Sequence, residues 1–520
     1  MWKFLKRMPC FVALAICMIM TGCSHNRCIN PANVVTIDHE GEPLKCENAE
    51  FTKFRGDGDF DDYLNKIGTS IRDAKTKKIL IFVHGGLNSL EAGLKREPLV
   101  DAIMDSGADS FYPVLIDWDS GLKSSYLEHL FTIRQGKKEP LTGIVTSPFI
   151  LVEDTGRIIT RAPISWYNQL ATDWKSLTFP TQPYITDCNN ATYDHWLHNE
   201  IQCENALYCA LRRDYEACCQ SINVSLDDAS AAEWQTARTF GRTASYWVTM
   251  PLKYTLVPII DGFGKPAWEN MVRRTRNMYR TPSEFDLRTE LAKVNDIPEK
   301  VESLAAEQIH EGKTGTLAKF FSKLEEQITD GSNYEITVIG HSMGTIVLNE
   351  FFRSYRDYPH ISKSIENIVY MAAACSIRDM QDSVIPFMQS ENHNAKFYNL
   401  TLHPLNDSGE ANWSYLDVVP RGSLLEWIDN FLTTPATPLD RTLGKWENII
   451  QATHVIPEKI CDRVTIKGFG VGTMKSIGPQ QHGEFDEFCA KHNTSDCPDW
   501  KFWSEVFWTA DDPSAVRRSP

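Results

Sequence analysis

The feature that most constrains this chain is a serine set between two glycines, in Gly340-His341-Ser342-Met343-Gly344. The apolar run Ile336-Thr337-Val338-Ile339 precedes it, and a helical pattern follows from Ile346 to Phe351. A strand that turns directly into a helix requires small residues beside the serine, and the turn lifts the hydroxyl clear of the sheet. In this context the motif predicts that Ser342 is a nucleophile, and the alternative is a surface turn with an idle serine.

Further short apolar runs predict the rest of a sheet. They end at glycines or polar residues and lie at 79–83, 112–116, 368–371, 397–402 and 464–466. Helical patterns lie between several of them, as from Leu317 to Ile328. Strands that alternate with helices, and whose side chains are apolar on both faces, are typical of a mostly parallel sheet. The sequence therefore predicts an α/β fold with a doubly wound sheet.

The spacing of these runs divides the chain. Residues 1–22 read as a signal, 23–75 as a polar tether and lead-in, and 76–119 together with 291–510 as the sheet domain. The stretch between them, 120–290, is far longer than one crossover helix needs. It therefore predicts an inserted cap, large and helical, which carries disulfides.

The amino terminus has the pattern of an exported protein. Lys3, Lys6 and Arg7 precede an apolar run at 11–20 that ends at Thr21-Gly22-Cys23. The run is short for a membrane span and suits a signal peptide. Small residues before the cysteine resemble the bacterial lipobox, which implies cleavage before Cys23 and its diacylation. An ordinary signal peptide or a short anchor helix remains the alternative.

The residue after Cys23 refines the expected location. Ser24 stands where the inner-membrane retention rule of Gram-negative bacteria prefers aspartate. This resemblance implies a lipid-anchored protein of the cell envelope, in the outer membrane and facing the periplasm.

Cysteine usage agrees with export. Removal of the signal and acylation of Cys23 leave 14 − 3 = 11 cysteines. In an oxidising compartment they predict disulfides whose pairing the sequence leaves open, and the odd count leaves one thiol over. Cys375 lies in the apolar run 371–375 and is the expected buried free cysteine. The rival reading, a metal site in the cluster Cys188, Cys203, Cys209, Cys218 and Cys219, lacks paired ligand spacing. No metal is expected.

The charge balance bears on partners. The chain has 53 basic and 68 acidic residues, and loss of three basic signal residues gives about −18 (50 − 68). An acidic chain without a basic stripe argues against nucleic acid as a partner. It also offers no electrostatic attraction to anionic lipid, so membrane attachment is expected to rest on the acyl chains of Cys23.

A nucleophilic serine needs backbone N–H groups that stabilise a developing oxyanion. Met343, the residue after the serine, supplies one. The loop after the run at 79–83 is expected to supply the other, from Gly86 or alternatively Leu87. His84 in the same loop precedes the serine by far, and we interpret it as a structural histidine.

Two segments resemble the opening of the α/β-hydrolase superfamily. They are Ile81-Phe82-Val83-His84-Gly85-Gly86-Leu87-Asn88-Ser89 and Val114-Leu115-Ile116-Asp117-Trp118-Asp119-Ser120. They are similar to a branch of bacterial serine hydrolases in which the corresponding segments read His-Gly-Tyr-Asn and Ser-Trp-Pro-Ser. The resemblance covers about residues 75–120 and 295–510. Asp117 and Asp119 replace the usual Ser and Pro, which leaves the triad untouched and bears on the cleft.

The superfamily's chain order is nucleophile, acid, histidine. The acid is expected in the loop after 397–402, where Asp407 is the first choice. Asp379, after the preceding strand, is the alternative and Asp417 a weaker third. The histidine is expected after the last strand, where His482 fits better than His454, which precedes that strand, or His492, which lies between Cys489 and Cys497.

These roles together predict a serine hydrolase, esterase-like or lipase-like, that cleaves carboxylic acyl esters of small molecules or lipids. Ser342 attacks the carbonyl, His482 accepts its proton, and Asp407 orients the imidazole. No cofactor is needed. A non-catalytic envelope protein that binds partners on the same scaffold, and an amidase or peptidase with the same triad, remain alternatives.

The cap has two possible roles. Its apolar segments at 148–152 and 246–260, with Trp247 and Leu252, could form a lid or an acyl pocket over Ser342. The alternative is that they only form the insertion's own core.

Overall fold

The computed structural model describes residues 33–47, 50–88, 90, 97–178, 223–226, 240–279, 315–328, 333–390, 393–410, 419–471, 478–487 and 500–509. Cys23, the cap cysteines between 188 and 219, Asp417 and His492 lie outside the described residues.

The described residues form a ten-stranded sheet of order β3-β2-β1-β5-β4-β9-β10-β11-β12-β8. Its strands are β1 (Val34–Ile37), β2 (Pro43–Glu47), β3 (Glu50–Lys53), β4 (Lys78–Val83), β5 (Tyr112–Trp118), β8 (Asn223–Leu226), β9 (Glu335–His341), β10 (Ile365–Met371), β11 (Lys396–Leu402) and β12 (Val464–Phe469). The strands β6 (Ile133–Arg134) and β7 (Lys137–Lys138) form a separate small ribbon. All neighbours from β1 to β8 in the sheet order pair in parallel, and only β1–β2 and β2–β3 are antiparallel.

Helices cover the sheet and build the cap. They are α1 (Asp57–Asp73), α2 (Glu97–Met104), α3 (Leu122–Phe131), α4 (Pro140–Thr178), α5 (Phe240–Asn277), α6 (Thr316–Gln327), α7 (Gly344–Arg353), α8 (Pro359–Ser364), α9 (Ile377–Asp382), α10 (Val384–Gln389), α11 (Pro404–Gly409), α12 (Leu424–Trp427), α13 (Trp446–Gln451) and α14 (Glu505–Thr509). A π-helical turn follows α12 at Ile428–Leu432. Short 3-10 turns lie at Gly107–Asp109, Tyr355–Asp357, Pro438–Asp440, Thr453–Val455, Glu458–Arg463 and His482–Glu484.

The apolar runs became strands because both sheet faces are covered. Every residue of β4 after Lys78 is buried, and so is every residue of β9 after Glu335. In a parallel sheet with helices on both sides, such strands have no solvent face and read as continuous apolar runs. The predicted α/β fold with a mostly parallel sheet is confirmed, and the helix predicted before β9 is present as α6.

Residues 34 to 73, within the predicted tether and lead-in segment 23–75, form part of the sheet and its covering helices. These residues add β1, β2 and β3 to one edge of the sheet, where β1 pairs in parallel with β5. Helix α1 then buries Phe60, Leu64 and Ile67 against the core. β2 and β3 mix polar and apolar residues, and the apolar run of β1 is only four residues long, so the sequence gives a weak signal for these strands.

The cap is helical where it is described. Helices α4 and α5 pack against each other, and α3 contacts both. One strand of the predicted cap segment, β8, pairs in parallel with β12 and extends the sheet at its edge. Trp247 and Leu252 on α5 are 58% and 47% exposed, so these two side chains do not form the insertion's core.

The described cysteines differ in their bonding. Cys375 is free and buried, as predicted, and burial raises the pKa of its thiol to about 11. Cys46 and Cys461, outside the cap, are disulfide-bonded. In the part of the chain that the structure describes, no helix is both long and apolar enough to cross a membrane.

Candidate active site

Ser342 lies on a sharp turn between β9 and α7. Its φ of 51° is in the left-handed region, which costs about 1–3 kcal/mol for a side chain other than glycine. A Cβ on Gly344 would come within 2.2 Å of the Val83 carbonyl oxygen, and one on Gly340 within 3.0 Å of the Thr345 nitrogen. Position 344 therefore requires glycine and position 340 leaves little room for a side chain, and the strained turn presents the serine at the carboxyl end of the sheet.

His482 is the side chain that meets the serine. Its Nε2 lies 2.8 Å from Ser342 Oγ. It sits in the 3-10 turn after β12, and burial, with His341 nearby, lowers its pKa to about 3. A neutral imidazole at pH 7 can accept the proton of the hydroxyl.

The backbone of His482 is held from two sides. Its N–H donates to Glu410 Oε2 at 3.0 Å, and its carbonyl oxygen lies 2.9 Å from His341 Nε2, which must act as the donor. His341 comes from the serine motif and Glu410 from the segment after β11. The histidine loop is thus tied both to the nucleophile turn and to the segment expected to carry the acid.

Asp407 lies in α11, directly after β11. It is buried, and burial raises its pKa well above the ordinary value, opposed in part by Lys445. Its Oδ1 and the Nδ1 of His482 are both buried without a hydrogen-bond partner. Among the described residues no hydrogen bond joins the two side chains, so the structure brings together Ser342 and His482 and leaves Asp407 unbonded to the histidine.

Glu410 is the residue that sequence reasoning missed. Burial raises its pKa to about 7, while the hydrogen bond from the His482 backbone opposes the shift. The only signal in the sequence is its place, three residues after Asp407 in the segment where an acid is expected. It is a second carboxyl beside the histidine loop.

The other acid and histidine candidates that are described lie elsewhere. Asp379 Oδ2 accepts a hydrogen bond from Asn349 Nδ2 at 2.6 Å, and Arg353 also bonds to this carboxylate. These partners belong to α7, the helix after the nucleophile. His454 lies in the 3-10 turn Thr453–Val455, before β12.

The loop after β4 lies directly against the nucleophile turn. A Cβ on Gly85 would be 2.9 Å from Ser342 Cβ, and one on Gly86 would be 3.0 Å from Met343 Sδ. Within the described residues, the N–H groups of Gly86 and Met343 donate no hydrogen bond, whereas that of Leu87 donates to the Ser120 carbonyl at 3.0 Å. Of the two alternatives in this loop, Gly86 has the free N–H and Leu87 does not.

The peptide between Gly85 and Gly86 is firmly oriented. The Gly85 oxygen lies 2.6 Å from His84 Nδ1 and 3.1 Å from Asn88 Nδ2, and Ser120 Oγ is 3.4 Å away. His84 Nε2 in turn lies 3.0 Å from Asp117 Oδ1. Because a trans peptide directs its N–H opposite to its carbonyl, these contacts also aim the Gly86 N–H.

Comparison with known proteins adds one family. The family model of lecithin:cholesterol acyltransferase matches residues 312–382, which run from just before α6 through β9 and the serine turn to the end of α9. No curated protein and no solved structure matches the chain. The similarity therefore covers the nucleophile segment and does not reach Asp407 or His482.

Proposed function

We propose that this chain is a serine hydrolase that cleaves carboxylic acyl esters, with lipid esters as its substrate class. The observation that carries the proposal is the 2.8 Å contact of Ser342 Oγ with a buried His482 at a strained strand–helix turn. The match of this turn to an acyltransferase family supports an ester-acting enzyme.

The chemistry follows from the contacts. His482 Nε2 takes the hydroxyl proton as Ser342 Oγ bonds to the acyl carbon, and the carbonyl oxygen becomes an oxyanion. The N–H groups of Met343 and Gly86 stabilise it. His482 then protonates the leaving alcohol, and a water molecule, deprotonated by the same imidazole, releases the acid and restores the serine. In this proposal Asp407 stabilises the imidazolium, and no cofactor takes part.

A second candidate is acyl transfer, which the name of the matching family favours. Ser342 is 2% exposed, so little water reaches it. An alcohol bound beside the acyl-enzyme would then compete with water as the acyl acceptor. Transfer would appear as a new ester when a long-chain alcohol is added to the assay, and hydrolysis as free acid alone.

We also propose the location that the amino terminus indicates. Cleavage before Cys23 and diacylation would anchor the enzyme in the cell envelope, in the outer membrane and facing the periplasm. The support is the lipobox-like Thr21-Gly22-Cys23 after an apolar run.

Replacement of the nucleophile tests the proposal. Ser342→Ala should lower kcat on p-nitrophenyl butyrate by at least about 10³-fold and abolish labelling by a fluorophosphonate, because the attacking atom is lost. Ser354→Ala is the matched control, since among the described residues that hydroxyl bonds to backbone carbonyls of α7 alone. Near-normal turnover in Ser342→Ala would refute the assignment, and absence of turnover and labelling in the wild type would favour the binding scaffold.

A further inference from the structure

Helix α4 of the cap turns its apolar side outward. Six large apolar side chains recur at the spacing of one helix face, with exposures between 50% for Leu170 and 84% for Leu141. They are Leu141, Val145, Phe149, Val152, Ile159 and Leu170. We call these residues the outer face of α4.

The opposite side of α4 is polar and faces the protein. Asp154 accepts a hydrogen bond from Tyr126 Oη at 2.9 Å. Arg161 Nε bonds to Asp261 Oδ1 at 2.8 Å, and Ser165 Oγ donates to Asp261 Oδ2 at 2.7 Å. Asp261, on α5, is fully buried. A helix at the surface of a soluble protein has the reverse arrangement, with apolar residues inward and charges outward.

The chemistry of the outer face indicates what covers it. Between residues 141 and 170, all of them described, Glu153 is the one exposed charged side chain, and it lies at the margin of this face, four residues after Phe149. Two of its polar groups are bonded within the protein, since Thr155 Oγ1 donates to the Leu151 oxygen and Trp166 Nε1 to the Tyr254 oxygen, both at 2.7 Å. A protein partner would require about one hydrogen bond per 100–200 Å². A face this poor in exposed polar groups suits acyl chains better than a protein surface.

The aromatic residues agree with a lipid surface. Trp166, Tyr167 and Trp174 are exposed at the carboxyl-terminal part of α4. Exposed Trp and Tyr side chains prefer the boundary between headgroups and acyl chains. Continuous apolar patches of this extent are rare on soluble monomers and mark interaction sites.

We propose that the outer face of α4 docks on the surface of a phospholipid bilayer, with the helix axis parallel to the membrane plane. In that orientation the apolar side enters the headgroup–acyl boundary while Asp154 and Arg161 stay in the protein. The proposed occupant of the face is lipid. The test distinguishes lipid from two other occupants, a second copy of this chain and residues 179–222.

The contacts of α4 connect this surface with the active site. Gln169 Nε2 donates to the Arg421 oxygen at 3.2 Å, and Asn430 Nδ2 donates to Thr172 Oγ1 at 3.1 Å. α4 also packs against α11, the helix that holds Asp407. Docking would therefore place the site beside the bilayer. The delivery of a lipid ester to Ser342 rests on the proposed function. The docking itself does not depend on that function.

The test uses the full chain with Cys23→Ser, so that no acyl chain contributes. Flotation with neutral phosphatidylcholine vesicles should recover the protein, and about 0.5 M NaCl should not release it, because screening weakens only charge interactions. Phe149→Glu with Val152→Glu should lower the partition coefficient at least tenfold. Met104→Glu with Val506→Glu is the matched control, because both residues are exposed apolar side chains outside α4.

Equal flotation of the α4 variant and the control would overturn the proposal. A wild type that does not float would also overturn it. If that wild type is a dimer and the α4 variant is a monomer, the face binds a second copy; if the wild type is a monomer, the face binds neither. Ser342→Ala should float like the wild type, which separates docking from catalysis. An equal urea-unfolding midpoint for the α4 variant and the control would show that the variant is folded.

Discussion

Of the two buried carboxyls in the segment after β11, Asp407 and Glu410, the described contacts join Glu410 and not Asp407 to His482. Glu410 accepts the His482 backbone N–H, a contact that fixes the main chain and leaves the ring free. Asp407 Oδ1 and His482 Nδ1 each lack a partner. Catalytic hydrogen bonds are often long before substrate binds. The acid that holds the imidazolium is therefore expected to be Asp407, with Glu410 positioning the loop.

Replacement of the acid candidates separates these roles. Asp407→Asn should lower kcat by about 10²–10⁴-fold, because a neutral amide no longer stabilises the imidazolium. Asp379→Asn should leave kcat within about threefold, since its carboxylate bonds to Asn349 and Arg353 instead. Steady-state kinetics on both purified variants decide between them. A larger loss of kcat in Asp379→Asn would reassign the acid.

The buried carboxyl of Glu410 should make stability depend on pH. Its pKa is raised to about 7 from 4.5, so the folded state binds this proton more tightly than the unfolded state does. Its contribution is fully present below pH 4.5 and is lost as the pH rises through 7, about 3 kcal/mol in all. Urea unfolding at pH 5 and pH 8 should show this decrease for the wild type.

Glu410→Gln provides the control, because the amide oxygen can still accept the His482 N–H but cannot ionise. The variant should lose less free energy of unfolding than the wild type between pH 5 and pH 8. The pKa of Asp407 is raised in the same direction, in part by the Glu410 charge, so the difference between the two proteins includes this coupling. Identical slopes for the two proteins would contradict the role of Glu410.

At the scale of elements, the loop after β4 depends on a neighbour from β5. The Asp117 carboxylate lies beside His84 Nε2, and His84 Nδ1 contacts the Gly85 oxygen. The orientation of that peptide directs the Gly86 N–H. Asp117 thus lies behind the loop that carries Gly86 and contacts it through His84.

Asp117→Asn should lower kcat about tenfold with KM unchanged, because an oxyanion donor acts mainly in the transition state. Asp119→Asn is the matched control, since its carboxylate caps Gly121 and Ser124 instead. The measurement is steady-state kinetics with the rate of fluorophosphonate labelling. A change in KM alone, or equal losses of kcat in both variants, would exclude this positioning role.

The elements also explain what the sequence could predict. β4, β9 and β11 are covered on both faces, so they appear as continuous apolar runs. β3 and β8 are four-residue edge strands that lack such a run. Ser342 could be proposed from the strand and helix beside it, and His482 from its place after β12. Glu410 could not, because nothing before folding marks which carboxyl will meet a backbone N–H.

For the whole molecule, the parallel order of the sheet brings the site together. β4, β9, β11 and β12 are consecutive in the sheet apart from β10, and their carboxyl ends bear the Gly85–Gly86 loop, Ser342, Asp407 and His482. Ligands of open α/β sheets bind at this edge. Helix α4 extends from the same region and carries the outer face proposed to dock on lipid. Its inverted polarity was not predicted, since an apolar helix face in a sequence does not reveal whether it points inward.

The buried thiol of Cys375 can report local opening of the structure around Ser342. The Cys375 N–H donates to Thr345 Oγ1 at 3.3 Å, and the adjacent Ala374 N–H donates to the Ser342 oxygen at 3.1 Å. Thiolate is the reactive form, and a buried thiol with a pKa of about 11 hardly forms it. Alkylation must therefore wait until the layer beneath the nucleophile opens. The rate at which a maleimide alkylates this thiol would measure how often the turn at Ser342 opens.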